Sequence, residues 1–106
     1  MKLRYTPAAI LDLEEISGYI SEVLFNPDPA QRIVASIAQS CERLKDQPLL
    51  GVELRKKTGR DVAGRCLVSG NYLIIYDVDD AVSILRVLDC RVDYLRILFE
   101  SDGSTL

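Results

Sequence analysis

The sequence has no histidine, so the side chain most often used to move protons near neutral pH is missing, and acid–base chemistry would fall to other groups. Cysteine is scarce and odd in number: Cys41, Cys66 and Cys90 lie in apolar runs and not at metal-ligand spacings. They read as small buried hydrophobes in a reducing compartment, with neither disulfide staples nor a metal site. No stretch approaches the ~20 consecutive apolar residues of a membrane-spanning helix. Met1 to Tyr5 enter an amphipathic segment without the apolar core of a secretory leader, so no signal peptide is expected. Low-complexity tracts are absent as well. Only Ser101-Asp102-Gly103-Ser104-Thr105 is polar and unpatterned, and residues 101–106 are expected to be a frayed tail. The expectation is a cytoplasmic protein with no cofactor, no metal and no membrane contact.

What is present is an ordinary globular composition: 106 residues, 48% hydrophobic and 27% charged. That length fits one domain, placed at residues 1–100, on a single modest core. The formal net charge of −3 argues against nucleic-acid binding. Its distribution is polarised, because Asp12, Glu14, Glu15, Glu22 and Asp28 crowd the first quarter. Arg55, Lys56, Lys57, Arg60 and Arg65 crowd the middle, and Arg86, Arg91 and Arg96 the end. Either the molecule presents a basic surface despite an acidic total, or these are plain solvated faces.

Three apolar runs dominate the second half. Gly70-Asn71 between Cys66-Leu67-Val68 and Tyr72 to Tyr76 is a two-residue hairpin signal, and Asp79-Asp80 precedes the third run, Val82 to Leu88. Two of these runs are apolar at nearly every position, so the sheet they form is covered on one face and partly shielded on the other. Ahead of them, Lys2 to Thr6 alternates as a short strand. Thr6-Pro7 then starts a helix of about five turns whose expected buried stripe is Ile10, Leu13, Ile16, Ile20 and Val23. A second helix is expected from an Asp28 N-cap with Pro29 first and Gln31 third, burying Ile33, Ile37, Cys41 and Leu44 and stopping before Pro48. Leu49 to Gly64 reads as a long basic loop with room for a short strand. Arg91 to Phe99 reads as a terminal helix or an edge segment. The resulting fold class is α+β: an N-terminal strand, an antiparallel two-helix hairpin on one face of an antiparallel sheet, a three-strand meander completing that sheet, and a short C-terminal helix. Nothing obvious in the chain remains for the opposite sheet face, which is the natural place for a partner.

The order of these residues resembles the RelE/ParE superfamily of bacterial toxins from type II toxin–antitoxin modules. The likeness runs from Leu3 to Phe99. It rests on Tyr5-Thr6-Pro7 before Asp12-Leu13-Glu14-Glu15-Ile16 and Tyr19-Ile20, on Glu42-Arg43-Leu44 with Pro48 and Gly51, and on Gly70-Asn71-Tyr72-Leu73-Ile74-Ile75-Tyr76. It closes on Ile84-Leu85-Arg86-Val87-Leu88 and Arg91-Val92-Asp93-Tyr94. The resemblance implies a growth-inhibiting toxin neutralised by a cognate antitoxin in a hetero-oligomer. RelE-like members cleave messenger RNA in the ribosome; ParE-like members inhibit DNA gyrase and are not nucleases. For RNA cleavage the resemblance points to Arg65, Arg86, Arg91 and Tyr94 as the catalytic set, with Arg55, Lys56 or Lys57 assisting. Arg86 as a cross-sheet salt bridge and Tyr94 as a half-buried core residue are the plain alternatives. For a gyrase inhibitor the target-binding candidates are Arg55, Lys56, Lys57, Arg91 and Arg96. The acidic total and the Arg91-x-Asp93-Tyr94 ending favour the ParE-like reading, in which the protein is not an enzyme. Cys90 and Val92 depart from the glycine and second arginine common in relatives, which weakens the site assignment. A family member that only binds its antitoxin is the third reading.

Overall fold

In the computed structural model, which describes residues 1–91, the elements run β1 (Lys2–Tyr5), α1 (Pro7–Leu24), α2 (Pro27–Asp46), β2 (Val52–Glu53), α3 (Leu54–Thr58), β3 (Arg65–Ser69), β4 (Tyr72–Val78) and β5 (Ala81–Asp89). The strands form one sheet in the order β1-β5-β4-β3-β2. The α+β class is as expected, with the helical hairpin on one face and an antiparallel β3-β4-β5 meander. The sheet as a whole is mixed, however, because β1 pairs with β5 in parallel, Lys2 opposite Ala81 and Tyr5 opposite Ile84. No short turn joins these two strands, so nothing imposes a reversal. The parallel pairing lets the chain run on from β1 into α1 along the half of β5 that β1 leaves uncovered. The expected C-terminal helix and the 101–106 tail lie outside the described residues.

Helix α1 begins as its sequence dictates: the Thr6 hydroxyl accepts the Ala9 N–H at 3.1 Å and Pro7 occupies the first turn. Thr6 also fastens the helix to the sheet, donating its hydroxyl to the Leu85 carbonyl at 2.9 Å and its N–H to the Ile84 carbonyl at 3.0 Å. This attachment rotates the buried stripe away from the expected one. Ala9, Asp12 and Ile20 are buried and Leu13 and Ile16 half-buried, while Ile10 and Val23 are exposed. Helix α2 starts two residues earlier than expected, with Asn26 and not Asp28 as N-cap, its side-chain oxygen accepting the Asp28 N–H at 3.0 Å. Pro27 and Pro29 both fit because first-turn N–H groups need no intrahelical partner. Asp28 instead lies in that first turn, where a carboxylate complements the helix dipole.

The principal core lies between the hairpin and the sheet: Ala9, Ile37, Cys41 and Leu44 meet Ile74, Tyr76, Val82, Ile84 and Val87. The opposite sheet face is not bare, which corrects the expectation of an open surface. Leu54 and Val62 pack there with Cys66, Leu73, Ile75, Leu85 and Leu88. The segment read as a basic loop folds into β2 and α3, and Leu54, the first residue of α3, is only 2% exposed. Cys41 and Cys66 are buried as expected and burial raises both thiol pKa values, but Cys90 is exposed because it follows the last β5 residue.

Candidate functional site

The end of β5 sets the first part of the site. Ile75 opposes Arg86 and Tyr76 opposes Ile84, leaving Leu85 as an extra residue, a β-bulge. β1 has already ended at Tyr5 opposite Ile84, so β5 beyond the bulge has no strand on that side. Asp12 of α1 fills the gap. Its carboxylate accepts the Val87 N–H at 2.9 Å and two donors of Arg86, Nε at 2.8 Å and an Nη at 2.9 Å. Asp12 is 6% exposed and replaces a missing strand at the sheet edge. This hydrogen bonding also raises the Arg86 pKa, so its charge is held on Asp12. Beside the pair opens a cleft of about 270 Å³ lined by Glu15, Tyr19, Tyr72 and Asp89 among others.

Arg91 sits at the rim of that cleft and folds back on Asp89, its Nε donating at 2.9 Å and an Nη at 2.6 Å while its backbone N–H donates at 2.8 Å. The guanidinium bonds, then the N–H, hold the Asp89 carboxyl down at about 2. A depressed carboxyl pKa contributes stability above its unfolded value of ~4 and loses it as pH falls from ~4 to ~2. A carboxyl NMR titration is expected to show Asp89 titrating near the lower value, and Arg91→Ala is expected to raise it toward the ordinary range, the retained backbone N–H keeping part of the depression.

Arg65, opposite Tyr76 on β4, serves a different end of the sheet. Its Nε and an Nη donate to the Gly51 carbonyl at 3.2 and 2.8 Å, and the same Nη reaches the Leu49 carbonyl at 3.3 Å. Next to it the fully buried Tyr76 hydroxyl donates to the Pro48 carbonyl at 2.8 Å and accepts the Gly51 N–H at 2.9 Å. Together these bonds clasp the 48–51 turn and so aim α3. Arg55, Lys56 and Lys57 are carried on α3 and are exposed. Arg55 and Arg65 share a cleft of about 300 Å³ with Glu53 and Asp77.

The candidate residues therefore fall into two groups. Arg55, Lys56, Lys57 and Arg65 occupy the β2–β3 edge; Arg86 and Arg91 occupy the α1–β5 end. Along the ladder Arg86 lies two strands and one row from Arg65, roughly 10 Å at standard spacings, and Asp89, which holds Arg91, two strands and four rows, roughly 16 Å. Cleavage of RNA requires an acid, a base and cations converging on one phosphate. Arg65, Arg86 and Arg91 are each engaged with a different partner within the chain, the Gly51 carbonyl, Asp12 and Asp89. Tyr94 and Arg96 lie outside the described residues. Sequence reading missed Asp12, Gly51 and Tyr76 as the residues that position the rest. The available signal for Asp12 was its place between Ala9 and Ile16 on one helical face, where a carboxylate needs a buried partner.

A five-stranded sheet bearing a helical hairpin on one face, with a short basic helix at the far edge, defines a small α+β domain. The family model described as the ParE toxin of the type II toxin–antitoxin system parDE matches residues 3–94. The chain belongs to this family, within the RelE/ParE superfamily. It is 31% identical over 97 residues to Y4kP of Sinorhizobium fredii, a protein provisionally named a toxin, covering 92% of this chain and 96% of the relative. Among solved structures it is similar to one of the chromosomal ParDE system from P. aeruginosa, at TM-score 0.69 and 25% identity over 84% of this chain and 95% of the other. It is also similar to one of the RelBE2 toxin–antitoxin complex from Mycobacterium tuberculosis, at TM-score 0.62 and 29% identity over 83% and 95%. Among the described residues no helix is long and apolar enough to cross a membrane.

Proposed function

We propose that this toxin acts in the cytoplasm by inhibiting DNA gyrase through protein contact, and that a cognate antitoxin holds it inactive. The observation that carries this reading is the state of the arginines. Arg65, Arg86 and Arg91, which an RNA-cleaving site would turn toward a phosphate, each satisfy a partner inside the chain. The basic residues of α3 stand exposed instead, on an element fixed by the Tyr76 and Arg65 bonds. Arg55, Lys56 and Lys57 form the proposed target surface, with Arg91 a separate proposed contact at the α1–β5 end; Arg96, the remaining candidate, lies outside the described residues. The acidic total fits a protein target better than ribosomal RNA, whose binding gains from displaced counterions. The likeness to the RelBE2 complex supports a second reading, RelE-like cleavage of messenger RNA in the ribosome.

Induced expression separates the two. A gyrase inhibitor is expected to stop DNA synthesis before protein synthesis and to leave plasmid relaxed or cleaved. Immediate arrest of translation with cut messenger RNA would overturn the gyrase reading. Reversing the α3 charges together, Arg55→Glu, Lys56→Glu and Lys57→Glu, is expected to weaken inhibition at least ~10-fold while leaving the melting temperature little changed, because these side chains are exposed.

A further inference from the structure

The tip of the helical hairpin presents apolar side chains to solvent: Tyr19 is 65% exposed, Val23 and Leu24 54%, and Phe25 94%. Phe25 ends α1 in the left-handed region, φ 52°, a conformation that favours glycine or asparagine. A large aromatic at this position therefore adds neither packing nor backbone comfort to the fold, and either smaller residue would serve the turn better. Glu15, Tyr19, Glu22 and Val23 fall at i, i+4, i+7 and i+8 and share one face of α1, so acids alternate with apolar groups there. Between residues 5 and 31 the chain has five acids and no lysine or arginine. Asp12 is neutralised by Arg86, which leaves Glu22 and Asp28 beside the apolar tip and Glu14 and Glu15 about three turns back along α1. The face continues through Tyr19 to the cleft that also holds Tyr72 and Asp89, with Arg91 bonded to Asp89 at its rim.

We infer that the hairpin tip is a second anchor for the toxin's protein target, with Phe25 and Leu24 entering an apolar pocket whose rim carries lysine or arginine. This rests on the gyrase reading: an enzyme that handles duplex DNA carries cation-lined surfaces for the phosphate backbone, and those cations complement the acidic collar of the tip. The basic α3 and the acidic tip then grip the target from separate corners of the molecule. An aromatic anchor in a desolvated pocket is the kind of residue on which binding energy concentrates.

The test is gyrase-catalysed supercoiling of relaxed plasmid, titrated with wild type, Phe25→Asn and Glu22→Lys, alongside thermal melts and titration with the cognate antitoxin. Phe25→Asn is expected to raise the half-inhibitory concentration at least ~10-fold, with a melting temperature equal to or above wild type and unchanged antitoxin affinity. Glu22→Lys is expected to weaken inhibition in a salt-dependent manner. Equal inhibition by wild type and Phe25→Asn would overturn the anchor and leave the gyrase reading standing. Loss of antitoxin binding, or of a wild-type self-association seen by sedimentation, with inhibition unchanged would assign the tip to those partners and also overturn it. A wild type inert on gyrase would remove the gyrase reading and the anchor with it.

Discussion

Replacing Asp12 with alanine is expected to lower the melting temperature by roughly 10–20 °C, from a loss of about 2–4 kcal/mol. The carboxylate serves three donors at once, and its removal leaves the Val87 N–H without an acceptor at a sheet edge and the Arg86 guanidinium without its counter-charge. A buried pair broken on one side is costly because the surviving charge has no partner. The Arg86 side chain, at 27% exposure, regains some hydration, which keeps the loss below that of a fully enclosed pair. Asp12→Asn keeps one acceptor and is expected to fall between. A double-mutant cycle of Asp12→Ala with Arg86→Ala should give a coupling energy above ~1 kcal/mol. A melt within two degrees of wild type for Asp12→Ala would mean that the edge of β5 is satisfied some other way.

Gly51→Ala is expected to cost at least ~3 kcal/mol, a large share of a small domain's total stability. A Cβ at position 51 would stand 2.4 Å from the Cys66 carbonyl oxygen and 2.7 Å from the Tyr76 hydroxyl. Both are held, the first as backbone of β3 and the second by its bond to Pro48. The turn must therefore move out, taking with it the carbonyl that Arg65 grips and the start of α3. Tyr76→Phe probes the same clasp without a clash and is expected to cost about 2 kcal/mol, because the Gly51 N–H and the Pro48 carbonyl both lose their partner. Chemical denaturation measures both. Limited proteolysis between β2 and β3 should speed up more in Gly51→Ala than in Tyr76→Phe.

The parts of the fold legible from sequence were those set by local chemistry. Thr6-Pro7 capped a helix where expected, and Gly70-Asn71 closed a hairpin in which Ser69 opposes Tyr72 and Gly70 takes φ 59°. The unbroken apolar runs of β4 and β5 signalled cover on one face and partial shielding of the other, while the second core, where Leu73 and Ile75 turn away from Ile74 and Tyr76, went unread and its face was left to a partner. What eluded sequence reading depends on distant partners. Asp12 belongs in a buried stripe only because β5 ends its pairing early, and Leu54 reaches a second core only because the 48–51 turn is clasped by a tyrosine from the middle of the sheet. A helical wheel that assigns every acid to solvent must rotate α1 wrongly, and it did so here by making Ile10 and Val23 part of the buried stripe. The arginines were recognisable as a set by charge and order. Their engagement with Asp12, Asp89 and the Gly51 carbonyl was not, because each partner lies on a loop or element whose place the sequence pattern leaves open.

The most direct measurement is supercoiling of relaxed plasmid by purified gyrase in the presence of this protein, repeated after adding the cognate antitoxin. The gyrase reading predicts lost supercoiling with trapped, cleaved DNA, reversed when antitoxin is added. Full supercoiling in the presence of folded protein that still arrests growth would contradict it and direct attention to messenger RNA in the ribosome, with Arg86, Arg91 and Tyr94 as the residues to replace.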